Sequence, residues 1–356
     1  MPLHTPFVTA LRRTETADTV VVRVADSDGV VGWGEAPQVW QVTGESLAGA
    51  VACLEEMLIP VVVGRDVDDW QQAATAVQRA VARNFGAKAA VDVALHDLAA
   101  RRAGLSLGAF LRSLSAQTVP TPLARTVQTD VTLSAGSVEG LCAAAVDRVA
   151  DGFRTLKMKV GTDARTDVDR VRAVRERVGG DVTIRLDANQ GWTPAEAVEV
   201  VRALEAADLG VEVVEQPVAG DDVEGLAWVR SRVGLPVMAD EALYSLVDLD
   251  RILRLEAADI VNVKLAKCGS LTVAAQLLRR ASEHGLGTIV GSMMETHIGV
   301  GAAASLVAAH PTSLVSDLDA AWWAARSPVL GGITFDGSTI TLPEASGLGI
   351  NGFAER

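Results

Sequence analysis

Little in this 356-residue chain is aromatic: Phe, Trp and Tyr together make up 4% of it. Cysteine is scarce too. Cys53, Cys142 and Cys268 are odd in number and lack metal or redox spacing, which fits a reducing cytosol. Basic residues are outnumbered, with 32 Lys and Arg against 45 Asp and Glu, a formal charge of −13 and a pI near 4.9. Binding phosphates needs a basic face, so nucleic acid is excluded as a partner. No basic-then-apolar leader stands at the N-terminus, and no apolar run reaches membrane-spanning length. The expectation is a soluble, cytoplasmic protein. No segment is of low complexity. What the chain does have is 49% hydrophobic residues, dominated by Ala and Val, the composition of a folded protein. Its length suits a full-sized barrel plus a smaller domain.

Thr19 to Val24 and Val30 to Trp33 are β-like runs joined by Asp26-Ser27-Asp28-Gly29, a hairpin signal. Amphipathic helical stretches follow over Ser46 to Leu58, Asp68 to Ala82 and Ala87 to Arg102. This α+β texture changes near Pro120. Short β-branched runs then alternate with longer helical stretches: Thr126–Leu133, Thr155–Val160, Thr183–Asp187, Val211–Glu215, Pro236–Asp240, Ile260–Lys264, Gly287–Val290 and Thr312–Ser316. Unalternating strands spaced by one βα unit indicate a parallel barrel. The predicted fold is α/β, a (β/α)7β TIM-like barrel over 116–330. An α+β capping domain over 1–115 is completed by the Gly-rich tail, 331–356.

Chemistry in such barrels sits at the C-terminal ends of the strands. Asp187, Glu215 and Asp240 end three successive runs and form a hard-oxygen cage suited to Mg2+. Singly, each could merely cap the following helix; three in register make that reading weaker. Lys157 and Lys159 lie two apart on one strand and share a face, so each is expected to depress the other's pKa. Lys264 ends a strand across the barrel. Two lysines flanking a metal-held carboxylate suit removal of an α-proton from one face and its return on the other, with the metal stabilising the enediolate. Asp317 and Asp319 share one side of an extended segment and need a cation between them, for which a substrate ammonium is the candidate; capping of a following helix is the plainer alternative. His96, His284, His297 and His310 are isolated and lack acid partners suited to catalysis.

Taken in order, the motifs resemble the enolase superfamily, its muconate-lactonizing subgroup and, within that, the dipeptide epimerases. They run from Gly32-Trp33-Gly34-Glu35-Ala36 and Ala87-Lys88-Ala89-Ala90-Val91 to Lys157-Met158-Lys159-Val160-Gly161 and Asp187-Ala188-Asn189-Gln190-Gly191. Glu215-Gln216-Pro217, Ala239-Asp240-Glu241, Asn262-Val263-Lys264 and Gly291-Ser292-Met293-Met294-Glu295 complete the set. The resemblance implies Mg2+ on Asp187, Glu215 and Asp240, acid/base chemistry by Lys159 and Lys264, and support from Lys157. It implies that Asp317 and Asp319 hold the ammonium of a dipeptide, that Ser292 and Met293 touch substrate, and that cap loops 7–16 and 39–46 close over it. Arg12 resembles an arginine that pairs with a substrate side-chain carboxylate in some Ala-Glu epimerases; a solvated lid arginine is the alternative. The implied activity is inversion of the C-terminal α-carbon of a dipeptide, with L-Ala-L-Glu and L-Ala-D-Glu as first expectation, and the resemblance also allows a homo-oligomer.

Relatives usually carry an additional strand before the segment matching Pro2-Leu3, so the chain is expected to start a strand short. Ser270 stands where many have glycine and is expected to cap a helix. Gly299-Val300-Gly301 reads as tight packing rather than a phosphate site. Within the superfamily, an N-acyl (N-succinyl) amino acid racemase or o-succinylbenzoate synthase is the runner-up, disfavoured because such substrates bring no ammonium to Asp317 and Asp319. A non-catalytic ligand-binding barrel would have lost at least one of the central charged residues, and none is missing.

Overall fold

The protein is described from a computed structural model covering residues 1–8, 13–115, 122–134, 136–161 and 164–354. The chain opens with a hairpin of β1 (Pro2–Val8) and β2 (Arg13–Thr16), closed where the Met1 ammonium donates to the Ala17 carbonyl at 2.9 Å. The predicted hairpin follows as β3 (Thr19–Ala25) and β4 (Val31–Pro37) in unbroken antiparallel register. Its turn is tied by the Asp26 carboxylate, which accepts from the Asp28 and Val30 amides. Helices α1 (Leu47–Cys53), α2 (Trp70–Ala80), α3 (Phe85–Arg102) and α4 (Leu107–Leu114) complete this N-terminal portion.

The barrel strands are parallel and lie side by side in one sheet. After β5 (Thr126–Gln128) they run β6 (Val131–Leu133), β7 (Thr155–Lys159), β8 (Thr183–Asp187), β9 (Val211–Glu215), β10 (Val237–Ala239), β11 (Ile260–Lys264) and β12 (Gly287–Gly291). Between them lie α5 (Val138–Ala150), α6 (Ala164–Val178), α7 (Pro194–Ala206), α8 (Val223–Arg230), α9 (Leu246–Leu255), α10 (Leu265–Cys268) and α11 (Leu271–Glu283), with α12 (His297–Ala309) after β12. Side-chain caps start several of them: the Thr193 and Glu196 capping box opens α7, and Ser270 caps α11 as its sequence suggests.

Two predicted strands need correction. The run Thr126–Leu133 is split: β5 leaves the barrel and pairs antiparallel with the tail, and only β6 joins the parallel sheet. The run Thr312–Ser316 is not a regular strand. It closes the barrel through two single parallel bridges, Thr129 with Ser316 and Gly291 with Asp317. Polar side chains interrupt it, with the Ser313 hydroxyl accepting from the Thr288 amide in place of a ladder bond.

The tail forms β13 (Val329–Gly331), β14 (Thr334–Asp336), β15 (Thr339–Thr341) and β16 (Ile350–Phe353). It contacts the N-terminal portion: buried Asp97 of α3 accepts from the Leu348 amide at 2.6 Å, and Arg101 donates to the Ile350 carbonyl at 2.7 Å. The same Asp97 accepts from the Trp33 amide of β4, so one carboxylate ties hairpin, helix and tail together.

Helix α3 is buried along nearly its whole length and turns small residues, Ala90 and Ala94 among them, to the hairpin. That smallness lets the hairpin backbone lie directly on it. A Cβ at Gly34 would come within 1.9 Å of the Ala90 carbonyl oxygen, and one at Gly32 within 2.1 Å of that of Ala94. Gly34→Ala is expected to cost about 3 kcal/mol of stability, because backbone rather than a movable side chain blocks the methyl group. Urea denaturation checks this, and a loss below about 1 kcal/mol would mean that the hairpin can slide on the helix.

Candidate active site

Lys159, Asp187 and Glu215 are cross-strand partners on β7, β8 and β9, so register alone brings these three strand ends level. Their side chains are almost fully buried, as are Lys157, Asp240 and Lys264. Charges taken out of water must be paired, and each is. Lys159 donates to Asp187 at 2.6 Å and Lys264 to Asp240 at 2.8 Å. Lys157 donates to Asp317, lies 3.4 Å from Glu215 and 3.6 Å from Asp187.

These groups surround a cavity of roughly 640 Å3, part of it open to solvent. Lys157, Lys159, Asp240, Lys264, Ser292, Met293, Asp317 and Asp319 all line it, while Asp187 and Glu215 lie beneath its surface. Arg12 lies outside the described residues, as does part of the loop 7–16. The loop 39–46 contributes Val39, Gln41 and Val42 to the cavity wall. Lys159 and Lys264 stand on strands separated by three others in the curved sheet, so they flank the cavity.

The expected mutual depression of the two β7 lysines is overturned for Lys157. Burial opposes its charge, but Asp317, Glu215, Asp187 and Asp130 around it prevail and hold its pKa well above the ordinary lysine value. Lys264 is likewise raised, its burial outweighed by Asp240. Neighbouring acids, absent from any two-residue spacing argument, decide the sign. Glu215 is pushed up to about 7, by burial foremost and by Asp187 and Asp240 beside it. Asp317 has a cation already, in Lys157. Asp319 instead accepts from the Thr132 amide and the Trp323 indole, and burial together with Asp317 raises its pKa.

Several residues that hold this arrangement are given no role by the sequence, although Gln216, Asn262 and Gly291 lie within its motifs. Lys267 is fully buried on α10, donates to both the carbonyl and the carboxylate of Asp240, and reaches the Asn262 carbonyl at 3.1 Å. Its one sequence cue is a lysine three residues after Lys264 in an apolar stretch. Gln216 staples neighbouring strand ends: its side-chain oxygen accepts from the Asp240 and Ala242 amides at 2.9 and 3.1 Å. Asn262 donates to Glu215 at 2.7 Å. Gly291 makes room for Lys264, since a Cβ there would come within 2.6 Å of the lysine Cε. Arg185, buried two residues below Asp187, bonds Asp130 and the Val315 carbonyl under the cavity floor. His297 packs on Phe335 and the Ser327 hydroxyl, apart from the cavity residues.

Residues 140–354 match the family described as enolase C-terminal domain-like, and residues 1–111 match the mandelate racemase/muconate lactonizing enzyme N-terminal domain. The chain belongs to the mandelate racemase/muconate lactonizing enzyme family of the enolase superfamily. An L-Ala-D/L-Glu epimerase of Bacillus subtilis is 40% identical over 99% of this chain and 94% of its own length. Its substrate-liganded structure superposes with a TM-score of 0.94, covering 99% of this chain and 96% of that one. A hydrophobic dipeptide epimerase of Enterococcus faecalis is 37% identical over 98% of this chain and 96% of its own length. The dipeptide epimerase from that organism, complexed with Mg and L-Leu-L-Tyr, gives a TM-score of 0.91 over 98% of this chain and 96% of that one. An N-succinyl-L-Arg/Lys racemase of Bacillus cereus is 32% identical over 98% of this chain and 92% of its own length.

For this family member, the donor set at the strand ends fits a hard divalent cation. Asp187, Glu215 and Asp240 offer only carboxylate oxygen, and they stand in a buried group where acids outnumber lysines. The buried oxygens Asn189 Oδ1, Glu241 Oε2 and Asn262 Oδ1, in side chains bordering that set, have no hydrogen-bond partner. As the side chains stand, each carboxylate is turned to a lysine, and among the described residues no three acids or histidines are gathered in metal-binding geometry. Chemistry and position fit; convergence requires the lysines to let go.

The loop carrying Ser292 and Met293 is fixed from behind. Glu295 accepts from the Met293 amide at 2.9 Å, and Glu35 of β4 accepts from the Thr296 and Gly299 amides. Gly299 lets both acids in: a Cβ there would lie 2.2 Å from Glu295 and 2.6 Å from Glu35. Burial, with Glu35 beside it, pushes Glu295 up to about 8. The folded protein therefore keeps a proton that the unfolded chain releases near its ordinary value of 4.5. The resulting stability is full below that value and is lost as pH rises toward 8. Glu295→Gln should remove this dependence, gaining on the order of 2 kcal/mol over the native chain at pH 8 relative to pH 5. Urea midpoints across that range check it, and parallel profiles for the two proteins would refute it.

Proposed function

We propose that the protein is an isomerase of amino acid derivatives, a Mg2+-dependent dipeptide epimerase that inverts the α-carbon of the C-terminal residue. The observation that carries this reading is that Lys159 and Lys264 flank one cavity that also holds the Asp317 and Asp319 pair. The full-length likeness to dipeptide epimerases supports it.

Asp187, Glu215 and Asp240 would hold the metal, which when bound polarises the substrate carboxylate and makes the α-proton more acidic. Lys159 takes that proton from one face of the α-carbon, and Lys264 delivers one to the other face. The roles exchange in the reverse direction, so the reaction needs no net proton. Lys157 keeps positive charge between Glu215 and Asp317. Asp317 and Asp319 receive the substrate ammonium, so a free amine is favoured over an N-acyl group. Ser292 and Met293 border the substrate from the loop after β12.

For the second side chain, L-Ala-L-Glu and its L-Ala-D-Glu product remain the first candidates. A second reading, an apolar side chain, is favoured by the wall where Val39, Ala266 and Met293 pack together with Val42 beside them. Incubation of dipeptide mixtures with the protein and Mg2+ in D2O tests both. Deuterium should enter the C-terminal α-carbon, and Lys159→Ala or Lys264→Ala should lower its entry by at least about a hundredfold. The labelled dipeptides then define the side-chain preference. Exchange confined to N-succinyl amino acids would sink the ammonium role of Asp317 and Asp319. Exchange in neither class would sink the epimerase.

A further inference from the structure

The Asp319 side chain makes both of its described hydrogen bonds through one oxygen. Oδ2 accepts from the Thr132 amide at 2.8 Å and from the Trp323 indole N–H at 2.8 Å. Among the described residues no hydrogen bond reaches Oδ1, although Asp319 lines the cavity. A carboxylate that spends one oxygen on fixed donors presents the other in a fixed direction. The Thr132 amide belongs to the barrel sheet and cannot move independently of it. The indole is the adjustable half of this clamp.

Trp323 is itself held in place. Its ring is nearly buried and stacks on His4 of β1, with centroids 5.0 Å apart and planes 29° apart. The His4 amide donates to the Trp323 carbonyl at 2.9 Å, and the Ala325 amide donates to the Pro2 carbonyl at 2.9 Å. Trp322 meets Trp323 edge-on from the other direction, and Arg148 of α5 lies over both rings. The first strand of the chain is thus bonded to the segment that orients Asp319. An aromatic residue that only filled space here would need neither an N–H aimed at a buried carboxylate nor a paired strand behind it.

We propose that Trp323, held by His4, is a positioning residue for substrate recognition: it turns Asp319 so that Oδ1 faces the ammonium of the dipeptide. The proposal rests on the reading of the site as a dipeptide epimerase. It makes the two acids unequal. Asp317 is paired from below with the Lys157 ammonium, whereas Asp319 meets only neutral donors, both on Oδ2, and turns its other oxygen to the substrate.

The test uses the full-length protein with Mg2+, the dipeptide most strongly labelled in D2O, and its N-acetyl counterpart as a competitive inhibitor. Trp323→Phe keeps the ring and removes the N–H. KM for the free-amine dipeptide should rise about tenfold, the scale of one hydrogen bond to a charged group, with kcat within about twofold. Ki for the N-acetyl compound should stay within about twofold. In an Asp319→Asn background the same substitution should leave KM unchanged, since both changes act on one contact. His4→Ala, which keeps the indole N–H but frees the ring, should raise KM in the same direction by a smaller factor.

An unchanged KM in Trp323→Phe, an equal loss for both ligands, or full additivity with Asp319→Asn would each overturn the proposal. If Trp323→Phe does not fold, the His4→Ala protein decides, and an unchanged ratio of KM to Ki there overturns it. Failure of the underlying reading looks different: the native protein itself would not distinguish the free-amine dipeptide from its N-acetyl form.

Discussion

The mouth of this barrel depends on an imbalance of buried charge. Asp187, Glu215, Asp240, Glu241, Asp317 and Asp319 are all nearly inaccessible, and the lysines beside them are Lys157, Lys159, Lys264 and Lys267. Six carboxylates against four ammonium groups cannot all stay ionised in a dry interior without further positive charge or compensating dipoles. The Asn262 side chain and the Asn189 backbone amide, donating to Glu215 and Asp187, supply some of those dipoles. The remaining excess of acid suits the proposed binding of two cations, a metal among the strand ends and an ammonium near the wall.

Such a network needs rigid mounting. The turn after β8 places Asn189 and Gln190 in left-handed backbone, and the turn after β9 does the same for Gln216. Non-glycine residues hold that conformation only where surrounding bonds insist on it. Here they do: Gln190 donates from its amide to the Gln216 carbonyl and accepts from the Gly220 amide. The strain lies between the two strands that carry Asp187 and Glu215, and it joins their ends before any ligand is considered.

Much of this was legible in the sequence, for reasons that also explain what was not. The strands Thr183–Asp187, Val211–Glu215 and Ile260–Lys264 stand where β-branched runs predicted them, because buried parallel strands are rich in such residues even where Arg185, Glu212 and Asn262 interrupt them. The closing segment 312–316 has the composition of a strand but bonds through serine hydroxyls, a choice that local pattern does not reveal. Asp187, Glu215, Asp240 and the three flagged lysines could be read from their position at strand ends. Lys267 and Arg185 could not, nor could the role of Gln216 within its motif, because each matters for a partner that only tertiary folding brings near. The same applies to the pKa of Lys157, where distant acids outweigh the neighbouring lysine.

The barrel is closed by two single bridges rather than by a ladder, and Asp317 and Asp319 ride on that seam. A full strand would bind its sequence to its neighbours, since any insertion or shift there would break paired hydrogen bonds along its length. A seam carries no such debt. Side chains on the cavity wall can be changed along it by small local steps while the other strands keep their register and Lys159 and Lys264 keep their stations. In this architecture the weakest closure of the sheet is therefore its most evolvable stretch.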